Sequence, residues 1–432
     1  MKNAGKNLFC FLFMLAVAGC GGGGGGDDLI PQIKFAFCGD TIVDSGEQCD
    51  DGNTTDNDGC SSLCKIGFSK TFGGTGTDEA RSVRQTTDGG YIVAGDTSSY
   101  GAIINDIWVI KIDSSGEKIW DKTFRRFRGN KAYSIEQTTD GGFILAGTTE
   151  FPEAGEFDVW VMKLDSSGES QWNIQISKNI NTTDYAYSIQ QTTDGGFIFA
   201  GSTELSDAGE PDIWVVKLDV DESENSEWSE TYGGTSSDTA HSIQQTADNG
   251  YIVAGGTESY GAGRSDFWIL KLDSSGEKQW DKTFGWISHD DAYSIQQTTD
   301  GGYIVAGYTD QQGLAHYQIW IIKLDSSGEK QWDKTFGGTS DNIAYSIQQT
   351  TDGGYIVAGD TYFWVMKLDS SGESQWDERF GVTSYDEAYS IQQTTDGGYI
   401  VAGRTNSYGA GGSDFWILKL DSEGNCNSCV FE

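Results

Sequence analysis

The chain has 432 residues, with 28 Lys and Arg against 65 Asp and Glu and a formal net charge of −37. A protein this acidic is repelled by nucleic acid and by anionic membrane surfaces, whereas it attracts cations. With only 3 prolines, many β-branched and aromatic residues and no sustained helical period, the sequence predicts an all-β protein.

Residues 1–19 have the features of an export signal, with two lysines and then an apolar run too short to span a bilayer. The run ends in Val17-Ala18-Gly19-Cys20, which resembles the lipobox of bacterial lipoproteins. This resemblance implies that Cys20 carries a lipid and that residues 20–37, which are rich in glycine, form a flexible tether. A secretory signal cleaved before a free cysteine is the alternative.

Residues 38–66 form a small module whose segments CGD, EQCDDGN and DGCSSLC resemble the myxobacterial cysteine-rich repeat. A module this short cannot bury enough apolar surface, so we expect disulfides to stabilise it. Setting aside Cys10 in the signal and the lipidated Cys20, an even number of cysteines remains: Cys38, Cys49, Cys60, Cys64, Cys426 and Cys429.

The even number predicts three disulfides, two inside the module and one in the tail formed by residues 426–432. A bridge between the tail and the module is the alternative pairing. Zinc bound by Cys49, Cys60 and Cys64 is a weaker alternative, because an exported protein meets an oxidising environment.

The same module concentrates carboxylate and amide oxygens, which are the ligands that Ca²⁺ prefers. The EF-hand spacing does not fit, because it would place Lys65 where the bidentate glutamate belongs. The module is therefore a candidate calcium site, and an acidic solvated turn is the alternative. The candidate ligands are Asp50, Asp51, Asn53, Asp56 and Asp58.

A phrase close to TTDGGYIVAG occurs seven times in the rest of the chain. Its last glycine recurs at steps of 52, 54, 54, 52, 52 and 44 residues. A period in this range indicates a stacked or closed array of one supersecondary unit. The seven glycines are Gly95, Gly147, Gly201, Gly255, Gly307, Gly359 and Gly403.

Each repeat predicts an antiparallel meander of four short strands. An Asp-Gly-Gly turn joins the first strand to the second, and a Ser-Ser-Gly turn joins the third to the fourth. In the fifth repeat the predicted strands are Ala292–Thr298, Tyr303–Gly307, Ile319–Asp325 and Lys330–Phe336. A Lys-x-Asp pair recurs in the third strands, as at Lys271 and Asp273, and we expect it to form an ion pair at the edge of the blade stack.

The last repeat lacks a fourth strand, and an isolated copy of that strand, Phe68–Gly74, precedes the first repeat. We therefore predict that residues 67–425 form a seven-bladed β-propeller closed by an N-terminal strand, because closure hides the sheet edges. An open solenoid is the alternative, but it would not need a displaced strand.

Two motifs resemble those of known propellers. The segment DSSGEKQW at Asp273–Trp280 resembles the tryptophan-docking repeat of pyrroloquinoline-quinone-type propellers. The turn at Thr298–Gly302 is similar to the Asp-box of sialidase-type propellers, without its trailing aromatic residue. Both motifs are structural in those families, so the resemblance implies a fold and no activity.

The strand order predicts two different faces, with the tight turns on one side and the variable loops on the other. Recognition usually resides in variable loops held by a rigid scaffold. The aspartates that recur before the first and third strands fit turn capping. Residues that break the repeat, such as His241 and Arg125, fit drift within a duplicated array. The candidate binding residues on the variable face are Tyr100, Asp207, Tyr260, Arg264, His316 and Tyr408.

These features favour a lipid-anchored, extracytoplasmic binding or scaffold protein that contacts a glycan, a protein or a divalent cation. We expect a monomer in the bacterial cell envelope, at the outer membrane or cell surface, which touches the membrane through its lipid only. The alternatives are an envelope-assembly scaffold and an enzyme that hydrolyses polysaccharide with two differently tuned carboxylates. Catalysis is disfavoured because near-identical blades leave little room for one special site.

Overall fold

A computed structural model describes residues 67–426, except 101–103, 151–155, 180–181, 205–209, 220–225, 312–315 and 339. All described residues belong to one compact unit. Within the described ranges there is no helix long and apolar enough to cross a membrane. The predictions that lie outside them concern the signal, Cys20, the module of residues 38–66 with its calcium candidates, Asp207 and Cys429.

Seven four-stranded antiparallel sheets, the blades, make up the described part of the chain. Blade 1 consists of β2 (Asp78–Gln85), β3 (Tyr91–Thr97), β4 (Asp106–Ile112) and β5 (Lys118–Phe124). Blade 2 consists of β6 (Arg128–Gln137), β7 (Phe143–Glu150), β8 (Phe157–Leu164) and β9 (Ser170–Ile176). Blade 3 consists of β10 (Asp184–Gln191), β11 (Phe197–Thr203), β12 (Asp212–Leu218) and β13 (Ser226–Tyr232).

The remaining blades repeat this plan. Blade 4 consists of β14 (Asp238–Gln245), β15 (Tyr251–Thr257), β16 (Asp266–Leu272) and β17 (Lys278–Phe284). Blade 5 consists of β18 (Asp290–Gln297), β19 (Tyr303–Thr309), β20 (Gln318–Leu324) and β21 (Lys330–Gly337). Blade 6 consists of β22 (Ala344–Gln349), β23 (Tyr355–Gly359), β24 (Trp364–Leu368) and β25 (Ser374–Arg379). Blade 7 consists of β26 (Glu387–Gln393), β27 (Tyr399–Thr405), β28 (Asp414–Leu420) and β1 (Phe68–Phe72).

The N-terminal strand completes the last blade, as the sequence predicts. Strand β1 pairs antiparallel with β28, from Phe68 opposite Lys419 to Phe72 opposite Phe415. Hydrogen bonds also join blade 7 to blade 1, for example from the Val83 amide to Ser390 Oγ at 3.2 Å. The prediction of a closed seven-bladed propeller is therefore confirmed, and the open solenoid is excluded.

The hydrophobic core is divided into seven clusters, and each cluster joins two neighbouring blades. The second and third strands are buried almost throughout because a blade covers each of their faces. On the outside, the aromatic residue of each fourth strand packs edge-on against the next blade, as Trp120 does against Phe143 with ring centroids 6.0 Å apart. In the closing strand, Phe68 makes the same contact with Tyr91.

The buried lysine of each third strand forms an ion pair, but its partner is not the one that the Lys-x-Asp spacing suggests. Lys163 Nζ lies 2.8 Å from Asp140 Oδ2, in the Asp-Gly-Gly turn of the same blade. Asp165, two residues after the lysine, instead accepts amide hydrogen bonds within the Ser-Ser-Gly turn. Although partial burial raises the pKa of Asp140, hydrogen bonds from Lys163 and Thr138 outweigh burial and lower it to about 2.

Every first strand contains a β-bulge at the same position. In blade 5, Ala292 pairs with Gly307 and Ser294 pairs with Ala306, so that residue 293 has no partner across the ladder. The other six blades shift register at the equivalent point. A bulge bends its strand and re-aims a side chain. The bulged residues are Arg81, Tyr133, Tyr187, His241, Tyr293, Tyr345 and Tyr389.

The bulge explains the last glycine of the repeated phrase. A Cβ atom on Gly307 would lie 1.9 Å from the Asp291 carbonyl oxygen in the bulged strand. At the equivalent glycines this distance is between 1.8 and 2.4 Å. Only glycine allows the second strand to approach the bulged first strand this closely.

We predict that Gly307→Ala lowers the free energy of unfolding by about 3 kcal/mol or more, because the methyl group must displace backbone. A matched control is Gly301→Ala in the Asp-Gly-Gly turn, where φ is +81° and nothing lies within 4 Å of the added Cβ. That variant should lose only about 1 kcal/mol, from the left-handed backbone. Chemical denaturation of both variants measures the difference, and equal losses would show that the close approach does not matter.

Candidate functional site

The first strands surround a central channel, since each of them contacts the first strands of both neighbouring blades. Each strand runs from the variable-loop face to the face with the Asp-Gly-Gly turns. The bulged residue therefore lies nearer the variable-loop face, whereas the Ser, Ile and Gln residues that follow lie nearer the turns. The channel thus has two parts with different side chains.

The part near the turns is held together by side-chain hydrogen bonds between blades. The serine of each first strand accepts a hydrogen bond from an amide of a neighbouring blade, as Ser82 Oγ does from the Ile135 amide at 3.2 Å. All seven blades make this bond. A glutamine at the end of each strand makes a second closed set, as from the Thr87 amide to Gln137 Oε1 at 2.8 Å. These polar groups are used in the scaffold.

The part near the variable loops is lined by a nearly unbroken ring of aromatic side chains. We call the circle of seven bulged residues the aromatic ring, which includes Arg81 as its one residue without an aromatic side chain. These residues enclose a cavity of about 300 Å³. From blade 2 to blade 7, the centroids of neighbouring aromatic side chains are 4.9, 5.3, 4.5, 5.3 and 5.0 Å apart. Arg81 occupies the seventh position, with its guanidinium 5.3 Å from the Tyr133 ring centre and 5.7 Å from that of Tyr389.

A network of ion pairs flanks the ring on blades 7 and 1. Arg81 Nε lies 2.8 Å from Asp96 Oδ1, and Arg81 also pairs with Glu79. Arg404 bridges the two blades by pairing with Glu79 and, at 2.7 Å, with Glu387. Although burial raises the pKa of Glu79, the charges of Arg81 and Arg404 outweigh burial and lower it. Burial raises the pKa of Asp96 in the same network, and the charge of Arg81 offsets only part of this rise.

Two carboxyl groups that act on the ring residue Tyr293, those of Asp291 on blade 5 and Asp360 on blade 6, have no ion pair among the described residues. Asp291 accepts hydrogen bonds from Tyr308 Oη at 3.0 Å and from Ser265 Oγ at 2.9 Å. Asp360 accepts a hydrogen bond from the Ile343 amide at 2.6 Å. Burial raises the pKa of Asp360 to about 7, so this carboxyl group titrates near neutral pH.

His241 takes the ring position of blade 4. Its imidazole stacks on Tyr293, with centroids 4.5 Å apart and an interplanar angle of 23°, and also contacts Tyr187. Burial lowers the pKa of His241, so the neutral form prevails at pH 7. His241 and Arg81, each the single departure of its kind from the ring tyrosines, therefore share one cavity rather than being scattered over the surface.

The described candidates from the variable face hold their own loops. Tyr100 and Tyr260 each donate a hydrogen bond from Oη to a glycine carbonyl in the loop that precedes their blade, and both pack on a tryptophan. Tyr408 packs on Trp416 in the same way. His316 Nδ1 lies 3.4 Å from Asp341, and the Arg264 amide donates to the Ser288 carbonyl. None of these five lines the channel cavity.

The channel residues that matter chemically were missed in the sequence, except His241. All of them except Arg81, which is itself a bulged residue, occupy two positions of each repeat: two residues before the bulge and directly after the last glycine of the phrase. Aligning the repeats at these two positions would have shown that both vary from blade to blade. The missed residues are Glu79, Arg81, Asp96, Asp291, Asp360, Glu387 and Arg404.

The recurring aspartates cap loops between blades, as expected, but some form close pairs. Asp78 accepts hydrogen bonds from Ser99 Oγ at 2.6 Å and from the Gly74 amide at 3.0 Å. Next to it, Asp414 is 1 % exposed and its Oδ1 has no hydrogen-bond partner. Burial, together with the charge of Asp78, raises the pKa of Asp414 to about 6. At the junction of blades 1 and 2 the equivalent pair is Asp106 and Asn130, and Arg125 lies 2.8 Å from the aspartate.

We predict that Asp414→Asn stabilises the protein at pH 8. Because the folded-state pKa is raised above the unfolded value, the wild type loses stability as the pH rises from about 4 to above 6. The variant should therefore gain roughly 1 to 3 kcal/mol at pH 8 and little at pH 4. Thermal denaturation at both pH values measures the gain. As a contrast, Asp396→Asn removes the partner of the buried Lys419, 2.9 Å away, and should destabilise at pH 8. A loss of stability in both variants would contradict this account of the pair.

The comparisons with known proteins agree with the fold and leave the ligand open. A family model described as "Domain of unknown function (DUF4215)" matches residues 31–65, which overlap the predicted cysteine-rich module. No curated protein matches the chain. The described residues instead resemble solved propeller structures at low sequence identity.

Three of these structures illustrate the similarity. YCF48 from Cyanidioschyzon merolae has a TM-score of 0.50 and 11% identity over 83% of this chain and 99% of its own. Chaetomium thermophilum Raptor has a TM-score of 0.51 and 11% identity over 82% of this chain and 29% of its own. The Pan2 WD40 domain from Neurospora crassa has a TM-score of 0.48 and 8% identity over 80% of this chain and 89% of its own. At such identities the similarity shows the propeller fold alone.

Proposed function

We propose that the protein is a binding protein whose ligand enters the central channel from the variable-loop face and contacts the aromatic ring. The proposal rests on the place in the fold where residues that differ between the blades come together. The seven blades are nearly identical, yet Arg81 and His241, which replace ring tyrosines, line one cavity of about 300 Å³, and charged residues that differ between blades flank Arg81. Concave sites lined by aromatic side chains with a few polar groups are typical of ligand sites.

The surroundings of the cavity support binding rather than a purely structural role. The Ser and Gln residues nearer the turns already join the blades in closed sets of hydrogen bonds. Among the described residues, the side chains of the aromatic ring make no repeated hydrogen bonds of this kind between blades. Its side chains are only partly buried, so a ligand can reach them.

We further propose that the propeller is displayed outside the cytoplasm on a lipid anchor at Cys20, in the cell envelope. The support for the anchor is the lipobox-like segment Val17–Cys20 and the glycine-rich tether that follows it.

The channel site is tested by screening glycans, peptides and amines against the full chain by tyrosine and tryptophan fluorescence. We expect that a ligand found in this way binds Tyr345→Leu at least tenfold more weakly, because stacking area and a hydroxyl are lost. The matched control Tyr260→Leu changes a tyrosine outside the channel and should retain full affinity. Circular dichroism verifies the fold of both variants. Loss of binding in the control and retention in Tyr345→Leu would place the ligand on the loops instead.

The anchor is tested with Cys20→Ser. We expect that the wild type incorporates labelled palmitate and partitions into detergent, whereas the variant does neither, because it lacks the thiol that the lipid requires. Fractionation of cells that express either form measures the partition. A variant that remains bound to the membrane would refute the anchor.

A further inference from the structure

We infer that the ligand of the channel carries an organic ammonium group, which is bound by the aromatic ring on the side of Asp291 and Asp360. This inference rests on the proposed binding function and adds the chemical class of the ligand. It follows from the charges around the ring, from the ring chemistry and from the size of the cavity.

The charges around the ring are unevenly compensated. On the side of blades 7, 1 and 2, the cations Arg81, Arg404 and Lys131 face the carboxylates Glu79, Asp96 and Glu387. Three cations therefore stand beside three carboxyl groups on this side of the channel. Further along the channel, Arg84 and Glu136 also form a pair, at 3.9 Å.

Asp291 on blade 5 and Asp360 on blade 6 have no cationic partner of this kind. Asp291 and Asp360 receive only uncharged hydrogen-bond donors among the described residues. The other charged groups that act on Asp360 include Glu387 and Asp341, which are acidic and disfavour its ionisation. A bound cation would relieve this repulsion, whereas a bound anion would add to it.

The aromatic ring itself suits a cation. The negative faces of tyrosine rings attract ammonium and guanidinium groups. The protein already contains such a contact, because the guanidinium of Arg81 lies over the rings of both neighbouring tyrosines, Tyr133 and Tyr389. The imidazole of His241 is neutral and therefore adds no positive charge to the cavity that would repel a bound cation.

The cavity limits the size of what can bind. A volume of about 300 Å³ accommodates an ammonium head group of a few carbon atoms and is small for a branched glycan. Tyr293 belongs to the same blade as Asp291, and Tyr345 to the same blade as Asp360. The charges of both aspartates act on Tyr293, and that of Asp360 also acts on Tyr345. An ammonium group seated on these two rings would therefore meet aromatic faces and carboxylates together.

The experiment is calorimetric titration of the full chain, in detergent at pH 8, with choline and with its uncharged isostere 3,3-dimethyl-1-butanol. We expect choline to bind at least tenfold more tightly than the isostere, because only choline has the charge. Asp360→Asn and Asp291→Asn should each weaken choline binding about tenfold. The control Glu329→Gln removes one negative charge from an exposed turn and should leave the affinity unchanged.

The pH dependence provides a second readout. Because the pKa of Asp360 is raised to about 7, protonation removes its charge as the pH falls. Choline affinity in the wild type should therefore fall severalfold between pH 8 and pH 5.5. In Asp360→Asn the affinity should vary less over the same range, since this group no longer titrates.

Two outcomes separate this inference from the proposed function. If choline gives no heat, or if the isostere binds equally well, while a glycan or an anionic ligand binds in a manner that depends on Tyr345, the ammonium inference is wrong and the channel site stands. If no ligand of any class depends on Tyr345, both are wrong. Equal weakening by Glu329→Gln would mean that general charge, not the site, attracts the cation.

Discussion

The close approach between the bulged first strand and the glycine of the second strand is the constraint on which the rest of this structure depends. In blade 5 the Asp291 carbonyl oxygen occupies space that any side chain at residue 307 would need. The bulge that causes this approach leaves residue 293 without a partner across the ladder, and the side chain there lines the channel. Seven bulges therefore place seven side chains around one cavity.

The same constraint separates the scaffold from the residues that are free to vary. The Ser and Gln residues after the bulge join neighbouring blades, so a change in one blade would break a bond in another. The bulged residue and its neighbours towards the variable loops make no such repeated bond. At these positions some blades have charged residues, and the propeller still closes. Because these positions can vary, the mouth of the channel is asymmetric.

Much of the fold could be predicted from the sequence because local signals agree with one another. The Asp-Gly-Gly and Ser-Ser-Gly turns, the alternation of the third strand and the isolated strand at Phe68 together specify four-stranded blades and their closure. Strand boundaries differ by at most two residues in blade 5, where the first strand is Asp290–Gln297 rather than Ala292–Thr298. The ion pair of the third-strand lysine was assigned to the wrong aspartate, since the spacing of two residues places both side chains on one strand face but says nothing about the turn.

The candidate site could not be predicted in the same way. A β-bulge has no clear signature in the alternating pattern, and without it Tyr293 would count as an ordinary surface residue. The residues around the channel come from seven blades, so Glu79 and Arg404 meet although more than 300 positions separate them in the chain. The loop residue Tyr260, a binding candidate from the sequence, donates a hydrogen bond from its hydroxyl to the Gly233 carbonyl.

We propose that a ligand binds at the mouth of the channel, among residues that differ between blades. The most direct measurement is a crystal structure of the protein soaked with (2-bromoethyl)trimethylammonium, with data collected at the bromine absorption edge. We expect one dominant anomalous peak inside the aromatic ring, on the side of Tyr293 and Tyr345. A dominant peak among the variable loops, with the ring empty, would contradict it.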